Sequence, residues 1–352
     1  MPDTGRVKRV GTANDGRGAG VDLITQGLAG AVLAQGAARP RELRRAALIG
    51  AVAGMLPDAD ILIRAADDPL FNIEYHRHFS HSLLFVPFGA LLVSLLAWPL
   101  LRGALPLARI YLFALLGMLT AGLLDACTSF GTHLLWPFSD ERIAWNLVAI
   151  IDPVFSLVLL TALVLAWRWR SALPARIGVA LALLYLLLAL VQQQRATEQV
   201  WELARERGHF IERLEVKPTL GNILLYRSVY LAAGRFHVDA IRVGVLQPPR
   251  HYPGDTIALV VPGDREDLPA DSVLARDVVR FARLADGYLV QHPDHPEVLG
   301  DIRYAMLPDS IRPLWGIRVD PARPQVHAAF LTLRETDPEV RRRFLDMLLG
   351  RD

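Results

Sequence analysis

Residues 82–101 run for 20 positions without a charge, and no other feature constrains the fold as tightly. A helix rises about 1.5 Å per residue, so such a run spans the hydrocarbon core of a bilayer. Further apolar runs follow at 110–124, 153–167 and 177–191. Each reaches across once Arg109, Arg168 and Arg176 extend to the interface. Four such runs within 110 residues present more apolar surface than a soluble bundle covers. Two shorter runs, 23–38 and 46–57, come first. They carry Gly27, Gly30, Gly50 and Gly54, small surfaces for close helix contact, with GxxxG spacing between Gly50 and Gly54. The expectation is a mainly α, polytopic membrane helical bundle of about six helices, two of them short, the short pair forming a hairpin against the rest.

Composition changes along the chain. Charged residues are only 21% and hydrophobic residues 52%, but the excess lies in 23–194. Four segments are expected. Residues 1–21 form a polar, glycine-rich, disordered extension without the apolar stretch of a signal peptide. Residues 22–194 are membrane-embedded. Residues 195–207 form a charged helical linker. Residues 208–352 form a small α+β soluble domain, with β-type runs at 222–232 and 236–246 and an amphipathic helix at 270–285. The net charge of +2 gives no reason to expect a nucleic-acid partner. A single cysteine, Cys127, excludes an intrachain disulfide.

The connecting segments alternate in charge. Those at 37–45, 102–109 and 168–176 are net +3, +2 and +3; those at 57–81 and 125–152 are each net −3. The positive-inside rule makes the basic segments cytoplasmic and puts the acidic segments, with the C-terminal domain, on the opposite face, which in a bacterial inner membrane is the periplasmic one. The basic N-terminal extension (Arg6, Lys8, Arg9, Arg17) falls outside in this arrangement, against the rule.

Three groups of chemistry-bearing residues share the acidic face. In Leu56-Pro57-Asp58-Ala59-Asp60 two carboxylates sit two residues apart in a proline-started turn. They either point at one cation or are solvated acids at a helix end. Then His76, His78 and His81 put three imidazoles into six residues, a donor set for zinc, manganese or iron or an interfacial, pH-sensitive cluster. Ser80 is placed to cap the following helix and leave His81 in its first turn. Finally, Asp125 ends an apolar run as a cap or a group facing the bundle interior. Asp152 before Pro153 reads either as a functional carboxylate or as a plain N-cap.

These residues carry a resemblance. Asp22–Leu28, Gly54–Asp60, His76–Ser82, Leu123-Leu124-Asp125 and Leu135–Ser139 resemble the YdjM-like membrane-bound metal-dependent hydrolases. Residues 301–304 and 313–317 are similar to the C-terminal extension of longer members. The resemblance implies Asp58, His76, His81 and Asp125 as ligands of a divalent metal ion, zinc first among them. It implies Asp60 and Asp152 as catalytic carboxylates, and a remote likeness to zinc-dependent phospholipase C. The chain departs from the family at Gln26 and Ala121, where many members carry histidines; His133 is the candidate to compensate for a lost ligand, which the fold decides. The expected function is an integral-membrane hydrolase of a phosphoester or lipid-linked substrate, with membrane lipid as partner. The alternative is a non-catalytic membrane protein with a structural or sensing metal site. A transporter is disfavoured, because the polar residues gather at one face and no helix pair is broken in corresponding places.

Overall fold

The computed structural model describes residues 19–351 apart from 64, 66, 246, 266, 335 and 336, with side chains from residue 23. The expected extension at 1–21, with Arg6, Lys8, Arg9 and Arg17, lies outside the described residues up to position 18. Seven helices follow among the described residues: α1 Ala19–Gly36, α2 Leu43–Met55, α3 Phe71–Tyr75, α4 Val86–Leu101, α5 Leu107–Cys127, α6 Pro153–Trp169 and α7 Leu173–Glu206. Each of the six apolar runs falls in one of them, α3 being the addition.

Two of these helices, α5 and α7, are long and apolar enough to cross a membrane. A third span arises only if Phe71–His81 and Val86–Leu101, bent by 83°, count as one broken span; α6 is a shorter apolar helix. The expectation of four spanning runs is thus met in part. The run at 82–101 begins four residues before its helix. Ser82 is extended, its hydroxyl donating to the Phe79 carbonyl and accepting from the Phe85 amide. Ser80 therefore does not cap α4, as its place in the sequence suggested.

The expected hairpin of α1 and α2 forms and packs on α5 by backbone contact. A methyl group on Gly30 would lie 2.3 Å from the Gly50 carbonyl oxygen, and one on Gly117 2.4 Å from the same atom. Only glycine allows this approach. It brings the C-terminal ends of α2 and α5 together, where Asp58 and Asp125 stand. The basic connections meet at the other end of these helices. Arg109 pairs with Glu42, and Arg176 donates to the Gly36 carbonyl at 2.9 Å.

The helix expected at 195–207 is the last part of α7, whose 34 residues give a rod of roughly 50 Å. Helix persists because Ala196, Val200 and Ala204 are buried against the first C-terminal sheet, in one core with Tyr226, Tyr230 and Ile241. That sheet is antiparallel, in the order β1 Arg213–Pro218, β2 Leu225–Ala232, β3 Arg235–Arg242 and β4 Arg250–Ala258. A second antiparallel sheet runs β5 Leu289–His292, β6 His295–Asp301, β7 Trp315–Arg318 and β8 Ala329–Thr332. Helix α8, Val273–Leu284, buries Leu274, Val278 and Phe281 with Leu289, Leu299 and Ile317 of that sheet. Helix α9, Pro338–Leu349, closes the described chain and had no counterpart in the sequence reading.

Leu70, from the segment before α3, is fully buried in that second core. Arg280 of α8 pairs with Asp68 at 2.9 Å and Glu74 at 2.6 Å. The sheets are thereby fastened to the acidic end of the helices.

Candidate metal centre

Asp58 and Asp60 leave α2 on a 3-10 turn, Pro57–Leu62, with Pro57 at its start, where a missing N–H goes unneeded. At three residues per turn, positions two apart point about 240° apart. The two carboxylates therefore do not aim at one point. They approach opposite nitrogens of the same imidazole: Asp58 Oδ1 lies 3.3 Å from His81 Nε2, and Asp60 Oδ2 3.5 Å from His81 Nδ1. Asp125, in the last turn of α5, brings Oδ2 to 3.1 Å from His81 Nε2. His81 reaches α5 because residue 122 is glycine; a methyl there would lie 2.2 Å from the His81 carbonyl oxygen.

Asp58, His81 and Asp125 each offer a ligand atom within 4.8 Å of the others, and all three residues are buried. Ligands bound about 2.1 Å from a shared zinc ion lie roughly 3.4 Å apart in a tetrahedron. His81 Nε2, Asp58 Oδ2 and Asp125 Oδ2 are buried with no hydrogen-bond partner among the described residues. Buried polar atoms are normally bonded, and an ion held among these three side chains is one way to satisfy them. The charges agree. Asp58, Asp60 and Asp125 are buried, and among the described residues the permanent cation ion-paired with them is Arg77, whose Nε lies 3.2 Å from Asp125 Oδ2. A dication balances the remainder when the imidazoles are neutral. The donors therefore fit a divalent metal ion.

A second set of contacts fixes the donors. Ser80 Oγ donates to Asp60 Oδ2 at 2.7 Å and lies 3.0 Å from His81 Nδ1. The Arg77 amide donates to Asp60 Oδ2 at 3.0 Å, and His76 Nδ1 lies 2.7 Å from Asp60 Oδ1. Burial raises the pKa of Asp60, but hydrogen bonds from His76 and His81 outweigh it and hold the carboxyl well below the usual range. Gln26 Nε2 donates to Asp125 Oδ1 at 2.9 Å. Arg77 takes a left-handed backbone, φ 60°, costly for a non-glycine residue. The turn is held by Thr132 Oγ1 and the His133 amide, both donating to the Arg77 carbonyl.

Of the four ligands nominated from sequence, Asp58, His81 and Asp125 converge. His76 instead backs Asp60. His78 packs on His133, ring centroids 4.6 Å apart, and on Trp136 at 5.6 Å. His133 is not among the converging donors; burial, then the charge of Arg142, pushes it down to about 4. Asp152 also stays apart. It caps α6 through the Phe155 amide at 3.0 Å and accepts from Tyr185 Oη at 2.7 Å, the N-cap alternative of the sequence reading. A cavity of about 300 Å³ opens beside Asp60, walled by Ile63, Phe71, Tyr75, His78, Phe79 and Trp136. Sequence reasoning missed the supporting roles of Arg77, Ser80 and Gly122, although all three lie in or beside segments it singled out.

The sequence profile described as "YdjM inner membrane protein" matches residues 21–196, half the chain, and includes every site residue above. Inner membrane protein YbcI of Escherichia coli (strain K12) is 35% identical over 105 residues, 29% of this chain and 60% of that protein. Uncharacterized protein YfhP of Bacillus subtilis (strain 168) is 24% identical over 198 residues, 56% of this chain and 59% of that protein. The chain thus spans about three fifths of the length of these curated relatives. No solved structure matches it significantly. With its apolar helices and a profile covering half its length, the chain is a membrane protein and belongs to the YdjM inner membrane protein family.

Proposed function

We propose that the chain is an integral-membrane metal-dependent hydrolase acting on a phosphoester or lipid-linked substrate at the membrane surface. The observation that carries this reading is the meeting of three buried metal-ligating side chains, Asp58, His81 and Asp125, with a ligand atom of each within 4.8 Å of the others. One imidazole with carboxylates suits zinc, the ion proposed, and also manganese or iron. Such an ion lowers the pKa of water and polarises a phosphoryl or carbonyl oxygen.

The chain's own residues prepare that chemistry. Ser80 donates to Asp60 and so accepts from His81 Nδ1–H, which leaves the Nε2 lone pair facing Asp58 and Asp125. Gln26 fixes the rotamer of Asp125. His76 gives its Nδ1 proton to the bond with Asp60, and its side chain is 22% exposed. The Asp60–His76 pair is the proton acceptor in this reading; Asp152, engaged at its cap, has no part. The aromatic cavity beside Asp60 suits the apolar portion of a lipid-linked molecule.

The acidic end and the sheets are assigned to the periplasmic side. The meeting of the basic connections at one end supports this, and reporter fusions at the C-terminus test it. Hydrolysis is tested with metal-loaded protein in nanodiscs against a phosphoester and lipid panel. Asp58→Asn and His76→Ala are each expected to lose about 100-fold or more in turnover. Turnover undiminished in Asp58→Asn, or none by fully loaded wild type, sinks the reading. Burial of all three donors favours a second reading, a closed structural site; stoichiometric metal without turnover selects it.

A further inference from the structure

Beyond the triad, the ring of Phe130 lies between two arginines. The Arg77 guanidinium carbon is 5.5 Å from the ring centroid and that of Arg142 is 4.7 Å from it. Arg77 is matched by Asp125. Arg142 is not: its Nη1 and Nη2 are buried and hydrogen-bond to nothing among the described residues. Burial pushes its guanidinium down to about 10. A buried, unmatched guanidinium is costly to keep and presents a planar fork suited to an oxyanion.

Arg142 lines a cavity of about 30 Å³ between the loop after α5 and the second sheet, with Phe130, Asp301, Arg303, Tyr304 and Trp315. That is room for two or three waters, which a small oxyanion displaces. The one carboxylate named there does not oppose an anion: Asp301 is gripped by Arg303, with Nη2 at 2.8 Å and Nε at 3.0 Å. Tyr304 gives its hydroxyl to the Ser129 carbonyl at 2.8 Å, leaving its ring as a wall.

We propose that this cavity binds an anionic group, a phosphoryl or carboxylate, with Arg142 as its principal ligand. The hydrolase reading supplies what the anion is attached to, a substrate whose other end reaches the triad. Anion binding itself does not depend on that reading. The C-terminal sheets thereby complete a site that the helices begin, since Arg142 and Phe130 come from one side and Arg303 and Tyr304 from the other.

The test measures inorganic phosphate binding to the full chain in phosphatidylcholine nanodiscs, by thermal shift and calorimetry. Phosphate is expected to stabilise wild type and His81→Ala alike. Arg142→Gln is expected to weaken binding at least about tenfold, with Arg142→Lys between the two. Adding phosphatidic acid to the nanodiscs separates the sources. Loss of the response to added phosphate makes a lipid headgroup the occupant, and a persisting response makes it a soluble ester; either supports the site. Equal binding by wild type and Arg142→Gln overturns the proposal, as does no binding by wild type. Binding lost in His81→Ala but kept in Arg142→Gln puts the anion at the triad, overturning this site and sparing the hydrolase reading. Arg142-dependent binding in a protein that takes up no metal does the reverse.

Discussion

The two halves of the molecule bury carboxylates in different ways. In the C-terminal half Asp239 and Asp277 have resident partners on both carboxylate oxygens. Asp239 is held by Arg207 and His251, both at 2.7 Å. Asp277 is held by His327 and the Ala328 amide, both at 2.9 Å. At the end of α2 and α5, Asp58 and Asp125 instead crowd the same nitrogen of His81, with Asp58 Oδ2 unbonded among the described residues and Arg77 the permanent cation ion-paired to Asp125 there. The first arrangement is complete as the chain folds. The second, in the reading proposed above, is completed by a ligand, and that contrast separates a structural ion pair from a binding site.

The comparison breaks if both regions respond alike to losing a carboxylate. The largest effect is expected in the sheets. Asp239→Ala strands Arg207 and His251 and costs about 3 kcal/mol in thermal or denaturant unfolding, with metal content unchanged. Next comes Gly122→Ala, whose methyl group displaces the His81 backbone. It costs about 1–3 kcal/mol by overpacking and lowers metal affinity roughly 10- to 100-fold. Asp58→Asn has the opposite sign from Asp239→Ala in chelator-treated protein. Relieving the crowded carboxylates raises stability by about 1 kcal/mol, while the stabilisation that added metal gives wild type is lost. Destabilisation by Asp58→Asn without metal would erase the distinction.

A pH-dependent effect sharpens the picture of the sheets. Lys217 is buried, its Nζ 3.7 Å from Glu215 and 3.4 Å from the centroid of the Tyr304 ring. Burial pushes its ammonium from 10.5 down to about 7. Between those values the unfolded chain holds a proton that the folded chain has released, so this group makes stability rise with pH across that window. Lys217→Met is therefore expected to stabilise, on the order of 1–2 kcal/mol below pH 7, with the gain fading as pH rises towards 10.5. A gain independent of pH would mean that the ammonium carries no burial cost.

Much of this was legible in the sequence because membrane helices are written in local hydropathy. All six apolar runs lie in helices, and the glycines of the short pair mark the α1–α2–α5 contacts. Asp58, His81 and Asp125 stood out because each ends or adjoins such a run. Spacing could not separate His76 from His81, since the left-handed turn at Arg77 decides which imidazole faces the triad. Asp152 looked the same as a cap and as a catalytic acid until Tyr185, 33 residues away, was seen to occupy it. The change of composition after residue 194 marked the charged helical stretch, but not the packing of its buried face on the first sheet through Ala204. Arg142 was a lone charge in an acidic segment, and its isolation is a tertiary property.

The most direct measurement is the divalent-metal content of the protein purified in detergent, wild type beside His81→Ala and Asp125→Asn, after loading and exhaustive dialysis. Expected are about one ion per wild-type chain and well under half of that in either variant. Equal content in all three proteins, or negligible metal in wild type, would contradict the assignment of Asp58, His81 and Asp125 as a metal centre.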